Sequence, residues 1–158
     1  MSVLRFLMML SLVVWVGAIV FFGAVLAPTV FRVLPSREMA GSVVAPSLAR
    51  LHWIGIISGI VFAATSLAYS RLSVGAAQPL APRHLLVFAM IVLTLMSQFG
   101  ISSRMNALRT QMGVIDQVPR EDVRRIEFDS LHRWSTRTEM AVLAMGLVVL
   151  YLSVRRFH

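Results

Sequence analysis

The stretch that decides the fold is Glu127–Val154, with the sequence EFDSLHRWSTRTEMAVLAMGLVVLYLSV. It begins with charged residues and ends in an uncharged apolar run, which is typical of a helix that enters a membrane. Because polar groups are costly against lipid, a polar face on this helix should point toward other helices or water. Steps of three or four residues place one half-polar stripe on a single face: Phe128, His132, Ser135, Glu139, Val142 and Gly146.

The composition is that of a membrane protein. The chain has 158 residues, of which 58% are hydrophobic, whereas soluble domains contain about 45–50% apolar residues. This length fits one domain. Cysteine is absent, which excludes disulfides and thiolate metal sites.

The net charge of +8 comes from arginine, since all fifteen basic residues are arginine. This usage suggests a GC-rich genome and therefore a bacterial protein. The arginines flank apolar runs, as membrane topology predicts, so we assign the positive charge to topology and predict no nucleic-acid partner.

Four apolar segments indicate membrane-spanning helices, at about residues 6–31, 51–69, 84–104 and 138–154. We predict an all-α, four-helix integral membrane bundle with up-down topology, forming a single transmembrane domain over residues 1–158. A last helix that begins near Pro119 would be longer than a bilayer requires. The third and fourth helices should therefore extend beyond the lipid.

The segment Arg32–Arg50 contains two prolines and mixed polarity. We predict a loop here, with a short interfacial helix between Ser36 and Ala45 whose N-terminus is capped by Ser36. Small residues on two spans predict close helix packing. They are Gly17, Ala24 and Pro28 on one face of the first span, and Gly55 and Gly59 on the second.

The arginines predict the membrane orientation. With four spans, both termini lie on one side, and the positive-inside rule assigns the arginine-rich side to the cytoplasm. Both termini are then external and the protein lies in a bacterial inner membrane. The side of the termini carries five arginines, Arg5, Arg71, Arg83, Arg155 and Arg156, and the other side carries ten, Arg32, Arg37, Arg50, Arg104, Arg109, Arg120, Arg124, Arg125, Arg133 and Arg137.

Two segments together resemble a known family. They are FFGAVLAPTVFRVLPSREMAGSVVAPSLARLHWIG at Phe21–Gly55 and FDSLHRWSTRTE at Phe128–Glu139. In span number, spacing and motif order the chain resembles the family of unknown function numbered 4149, also called transmembrane-protein-205-like. The resemblance implies a four-helix integral membrane protein and no established activity. The residues that carry it are Ala27, Pro28, Phe31, Ala40, Gly41, Phe128, Leu131, His132 and Ser135.

His52 and His132 are the sharpest candidates for cofactor chemistry. The second and fourth spans start from the same side, so we predict that the two imidazoles approach each other across a contact between these helices. They could then bind haem iron or a metal, and Met105 could add a thioether ligand suited to copper. The competing interpretation is that both histidines are interfacial residues hydrogen-bonded to a neighbour.

Four further polar residues lie within or next to the spans: Glu139, Arg104, Ser135 and Gln98. We predict that Glu139 pairs with Arg104, as a contact between helices or as part of a proton or ligand path. Gln98 is expected to form hydrogen bonds between helices.

No enzyme signature is present in the sequence. We therefore expect a non-enzymatic membrane protein that associates with itself or with another membrane protein. The Gly55/Gly59 face and the extended helical hairpin are the predicted contact surfaces, besides lipid. The alternative is a haem- or copper-binding redox or transport module that uses His52 and His132.

Overall fold

The computed structural model describes residues 2–75 and 80–155. Arg156, which the topology prediction counted, lies outside these residues. The described chain forms four long helices, which we number α1, Ser2–Val33; α2, Arg37–Val74; α3, Pro82–Met112; and α4, Val123–Arg155. All four are long and apolar enough to cross a membrane, which confirms the predicted all-α membrane bundle.

The helix bounds differ from the prediction mainly at α2. The short helix predicted between Ser36 and Ala45 is present, but the predicted break before the second span is wrong, because α2 continues from Arg37 through Pro46. Ser36 caps this helix as predicted, since its side chain accepts a hydrogen bond from the Met39 N–H. Proline argues against a helix interior, but packing of this segment against the rest of the bundle outweighs that preference.

Two π-helical turns interrupt the spans, at Phe22–Leu26 in α1 and Ser97–Ser102 in α3. The first ends just before Pro28, whose ring and missing N–H disturb the preceding turn. A π turn inserts an extra residue, and such turns are frequent at functional sites. The second therefore rotates every later residue of α3 relative to an ideal helix.

The bundle core lies midway along the helices and is apolar. Trp15, Phe62, Met90 and Val142 are all buried here. Trp15 packs on Gly55 and Gly59, where an added Cβ would lie within 3 Å of the indole ring. The Gly55/Gly59 face is thus used inside the chain, so its prediction as an intermolecular surface is wrong.

Gly17 of α1 makes no such close contact. A Cβ at Gly17 would meet nothing within 4 Å. The predicted close packing at this position is therefore wrong among the described residues.

The connection between α3 and α4 contains a single 3-10 turn, Ile115–Gln117. Leu108, Ile115 and Phe128 form a second, smaller apolar cluster beneath it. This cluster packs the end of α3 against the start of α4, outside the predicted spans. The extension of both helices beyond the lipid stays a prediction.

Candidate functional site

A buried histidine links three helices. The Nε2 atom of His52 on α2 lies 2.7 Å from the Glu139 carboxylate on α4. Its Nδ1 atom lies 2.7 Å from the Gln98 side-chain amide in the π turn of α3. His52 is only 1% exposed. Since a carboxylate accepts hydrogen bonds and an amide can donate or accept, both ring nitrogens are satisfied.

The predicted pair between Glu139 and Arg104 is wrong. Arg104 instead donates through Nε and a terminal nitrogen to Glu127. Both side chains of this pair are substantially exposed, at 54% and 37%. A π turn lies just before Arg104, at Ser97–Ser102, and it changes the direction of the Arg104 side chain relative to that in an uninterrupted α-helix.

A cavity of about 680 Å³ opens on the side of Gln98 away from the apolar core. It lies between the first turns of α2, the last turns of α3 and the first turns of α4. We call this region the open end. Apolar side chains form much of its wall, including Leu48 and Phe128, and Gln98 and Ser135 also line it.

The other predicted site residues divide between this cavity and its surroundings. His132 and Met105 line the cavity together with Ser135. His52 does not line the cavity, but it contacts Gln98, and Gln98 lines the cavity. Since both ring nitrogens of His52 already have protein partners, metal binding there would require one of those hydrogen bonds to break. The approach of His52 to His132 stays a prediction.

Among residues 2–75 and 80–155, no group of three or more histidine and carboxylate side chains is placed to hold a metal ion. His52 and Glu139 are already paired with each other. A metal centre at His132 would thus need ligands besides histidine and carboxylate side chains, such as a thioether or a backbone carbonyl.

Three arginines line the cavity at its solvent end: Arg37, Arg109 and Arg125. Arg125 is 92% buried, since only 8% of it is exposed. It donates to the carbonyl oxygens of Ile115 and Val118, and its buried Nε has no hydrogen-bond partner.

Arg109 resembles Arg125 in its contacts. One terminal nitrogen donates to the Gly41 carbonyl at 3.0 Å, and the guanidinium lies over the Phe128 ring. Its Nε is also buried without a partner. A Cβ at Gly41 would lie 2.7 Å from the Arg109 guanidinium, so the glycine allows the close approach.

These arginines lack carboxylate partners. In the described parts of the chain, the ion pairs join His52 to Glu139, Arg104 to Glu127 and Arg124 to Asp122. None of them involves an arginine of the cavity. Sequence reasoning used these arginines only to predict topology. The signal that it missed was Gly41, a small residue that lets a long cation pack against the backbone of α2.

A second, smaller cavity of about 440 Å³ adjoins the first on the solvent side. The two share Arg37 and Arg125 as lining residues. Arg120 and Asp116 also line the smaller one. The two shared guanidinium groups therefore stand between an outer polar cavity and an inner, mainly apolar one.

The opposite end of the bundle contains a compact polar cluster, which we call the closed end. Arg83 donates to the hydroxyls of Ser66 and Ser70, each at 3.0 Å. Nε2 of His84 lies 2.8 Å from the Ser66 hydroxyl. All four residues are more than 90% buried. This cluster joins α2 to α3 through side chains.

Comparison with known proteins places the chain in a family. A family profile described as a domain of unknown function (DUF4149) matches residues 10–113. The chain belongs to this family. The match covers most of α1 and all of α2 and α3, and therefore includes Gly41, His52, Gln98 and Arg109. No curated protein and no solved structure matches the chain.

Proposed function

We propose that this DUF4149 protein is a non-enzymatic membrane protein that binds a ligand in the cavity of the open end. The observation that carries the proposal is a cavity of about 680 Å³ lined by Arg109 and Arg125, neither of which forms an ion pair among the described residues. Ligand sites in proteins have volumes of about 300–1,000 Å³ and combine apolar walls with a few polar groups. A largely buried cation without a counter-charge is costly, and a bound ligand with hydrogen-bond acceptors would lower that cost.

The test is native mass spectrometry of the protein purified in mild detergent. We expect the wild type to retain a small-molecule adduct, and Ala49→Phe to lose it because Ala49 lines the cavity. Ala64→Phe is the matched control, since Ala64 lies on the same helix with its side chain exposed. An adduct retained equally by both variants would contradict the proposal.

The arrangement in the membrane is part of the proposal. The chain would form a single transmembrane domain over residues 1–158, crossing a bacterial inner membrane at about 6–31, 51–69, 84–104 and 138–154. The arginine-rich open end would be cytoplasmic and both termini external. A reporter enzyme fused to the C-terminus and active only outside the cytoplasm tests this orientation, and an inactive, well-expressed fusion would contradict it.

Association with itself or with another membrane protein is a second candidate function. Exposed apolar side chains on the first turns of α4 favour it, since Val123 is 77% and Ile126 is 55% exposed. Cross-linking of the wild type beside Val123→Glu/Ile126→Glu tests this surface. Unchanged cross-links in the double variant would remove the hairpin as the site of association.

The haem or copper alternative rests on His52 and His132. His132 and Met105 share the cavity wall, which favours His132 over His52 as the ligand of any such group. Visible absorbance and elemental analysis test it, with His132→Ala as the comparison. A haem band or stoichiometric copper that is lost in the variant would support this alternative over a colourless ligand.

A further inference from the structure

We propose that the ligand of the open end is an anionic amphiphile, a molecule with a phosphate or carboxylate headgroup and a hydrocarbon chain. This inference rests on the proposed function and names the ligand class of the same cavity. It places the headgroup between Arg37, Arg109 and Arg125, and the hydrocarbon chain along the apolar wall toward the lipid.

The charge of the cavity favours an anion. Three guanidinium groups line it without an ion pair among the described residues, and one carboxylate, Asp129, also lines it. Glu38 interacts electrostatically with Arg109, so the local balance remains positive. Asp129 is exposed and can be solvated by water, whereas the buried guanidinium of Arg125 cannot.

The hydrogen-bond geometry also favours an acceptor. Arg125 uses one terminal nitrogen for two backbone carbonyls, and its other terminal nitrogen forms no hydrogen bond with the described residues. Arg109 likewise bonds one carbonyl through one terminal nitrogen and leaves the other without a hydrogen bond there. Guanidinium groups have only donors, so a ligand that bonds these nitrogens must supply acceptors. Phosphate and carboxylate oxygens form the strongest hydrogen bonds with such donors.

The apolar part of the cavity indicates that the anion carries a chain. Phe31 of α1 and Phe99 of α3 both line the cavity and are 46% and 61% exposed. Phe99 lies within the third predicted span, where exposure means contact with lipid. The cavity thus has an edge on the lipid side and cationic groups on the solvent side, which matches an amphiphile that lies across the membrane interface.

Binding of defined lipids tests the inference. Purified protein is titrated in neutral detergent with dioleoylphosphatidic acid, dioleoylphosphatidylcholine, oleate and inorganic phosphate, with occupancy read by native mass spectrometry. We expect phosphatidic acid and oleate to bind at least about tenfold more tightly than phosphatidylcholine, since the choline cation cancels the charge of its phosphate and is repelled by the guanidinium groups. Inorganic phosphate should bind weakly, because it lacks the chain.

Charge-removing variants locate the headgroup. Arg37→Gln and Arg125→Gln should each weaken the binding of phosphatidic acid by about tenfold. Arg133→Gln is the matched control, since Arg133 is exposed on α4 and does not line the cavity. Arg37 is also exposed and its substitution should leave the fold intact, so it decides the result if Arg125→Gln fails to fold.

The outcomes separate the inference from the proposed function. Equal binding of phosphatidylcholine and phosphatidic acid, abolished by Ala49→Phe, would overturn the anionic headgroup and leave a ligand cavity. Tight binding of inorganic phosphate that Ala49→Phe does not weaken would overturn the amphiphile in favour of a free anion. Binding of no probe, with Ala49→Phe also without effect on native adducts, would overturn both proposals.

Discussion

The two ends of the bundle use buried arginine in opposite ways. At the closed end, Arg83 bonds two serine hydroxyls of the neighbouring helix, and these hydroxyls are themselves buried. At the open end, Arg109 and Arg125 bond backbone carbonyls, leave buried nitrogens unpartnered and face a cavity.

This difference separates a structural role from a binding role. Where neighbouring helices supply acceptors for a buried cation, the cation fixes their contact. Where an arginine lines a cavity without a carboxylate partner, a ligand can supply the counter-charge. The apolar core around Trp15 and Met90 lies between the two ends.

The largest effect is expected when the closed end is broken. Arg83→Met should lower the free energy of unfolding by about 2–3 kcal/mol, because the Ser66 and Ser70 hydroxyls lose a buried partner. Thermal unfolding in detergent measures this loss. Arg71→Met is the control, since Arg71 is exposed near the same end and its change should cost less than about 0.5 kcal/mol. Equal effects of the two variants would refute a structural role for Arg83.

A smaller loss is expected at the histidine that joins the helices beneath the open end. Glu139→Ala should lower the free energy of unfolding by about 1–2 kcal/mol, since Nε2 of His52 becomes a buried group without a partner. Glu139→Gln retains an oxygen acceptor and should lose less. The melting temperatures of Glu139→Ala and Glu139→Gln measure this difference in stability. If the glutamine variant were as unstable as the alanine variant, charge rather than hydrogen bonding would hold the contact.

A larger side chain should affect the two ends differently, because a cavity has room for the added atoms and a packed cluster does not. Ala49→Phe should leave stability unchanged or raise it by up to about 1 kcal/mol, as filling a void commonly does. The same change in side-chain size at Ser66, which is fully buried at the closed end, should destabilise the fold by about 1–3 kcal/mol through overpacking. Melting curves of Ala49→Phe and Ser66→Phe measure both. A destabilised Ala49→Phe beside a tolerated Ser66→Phe would reverse the assignment of the two ends.

The smallest effect concerns the start of α4. The Asp122 carboxylate accepts hydrogen bonds from the backbone and side chain of Arg124, which lowers the pKa of Asp122 to about 2. Folding thus favours the charged form, and its stabilising effect is complete above the ordinary pKa. It should be lost as the pH falls from about 4 to about 2.

Asp122→Asn should remove this part of the acid sensitivity. The measurement is the melting temperature between about pH 5 and about pH 2, with Asp116→Asn as the control. Identical pH profiles for Asp122→Asn and the wild type would show that the carboxylate does not act as a helix cap.

Much of the fold follows from the sequence. Apolar runs are sufficient to identify the four helices, and Ser36 marks the start of α2. The prolines misled the prediction at Pro46, because tertiary packing maintains the helix despite the lost backbone hydrogen bond. The π turn at Ser97–Ser102 was also unforeseen, since its sequence has the apolar pattern of an ordinary span.

The sequence was sufficient to identify several individual site residues, but not their arrangement in space. His52, Gln98 and Glu139 stood out as polar groups in apolar surroundings, yet nothing in the linear sequence shows that His52 contacts both of the others. Arg109 and Arg125 looked like topology signals, because the linear sequence does not show that they line a cavity. The missing information is the packing of the helices, including the close approach of Arg109 to Gly41.

The most direct test of a ligand site at the open end is photo-cross-linking with a diazirine-labelled phosphatidic acid in bilayers, followed by peptide mapping. The account predicts label concentrated at Phe99 and Phe128, displaced by unlabelled phosphatidic acid and lost in Ala49→Phe. Label spread evenly over the lipid-facing side chains of all four helices, and unaffected by competitor or variant, would contradict it.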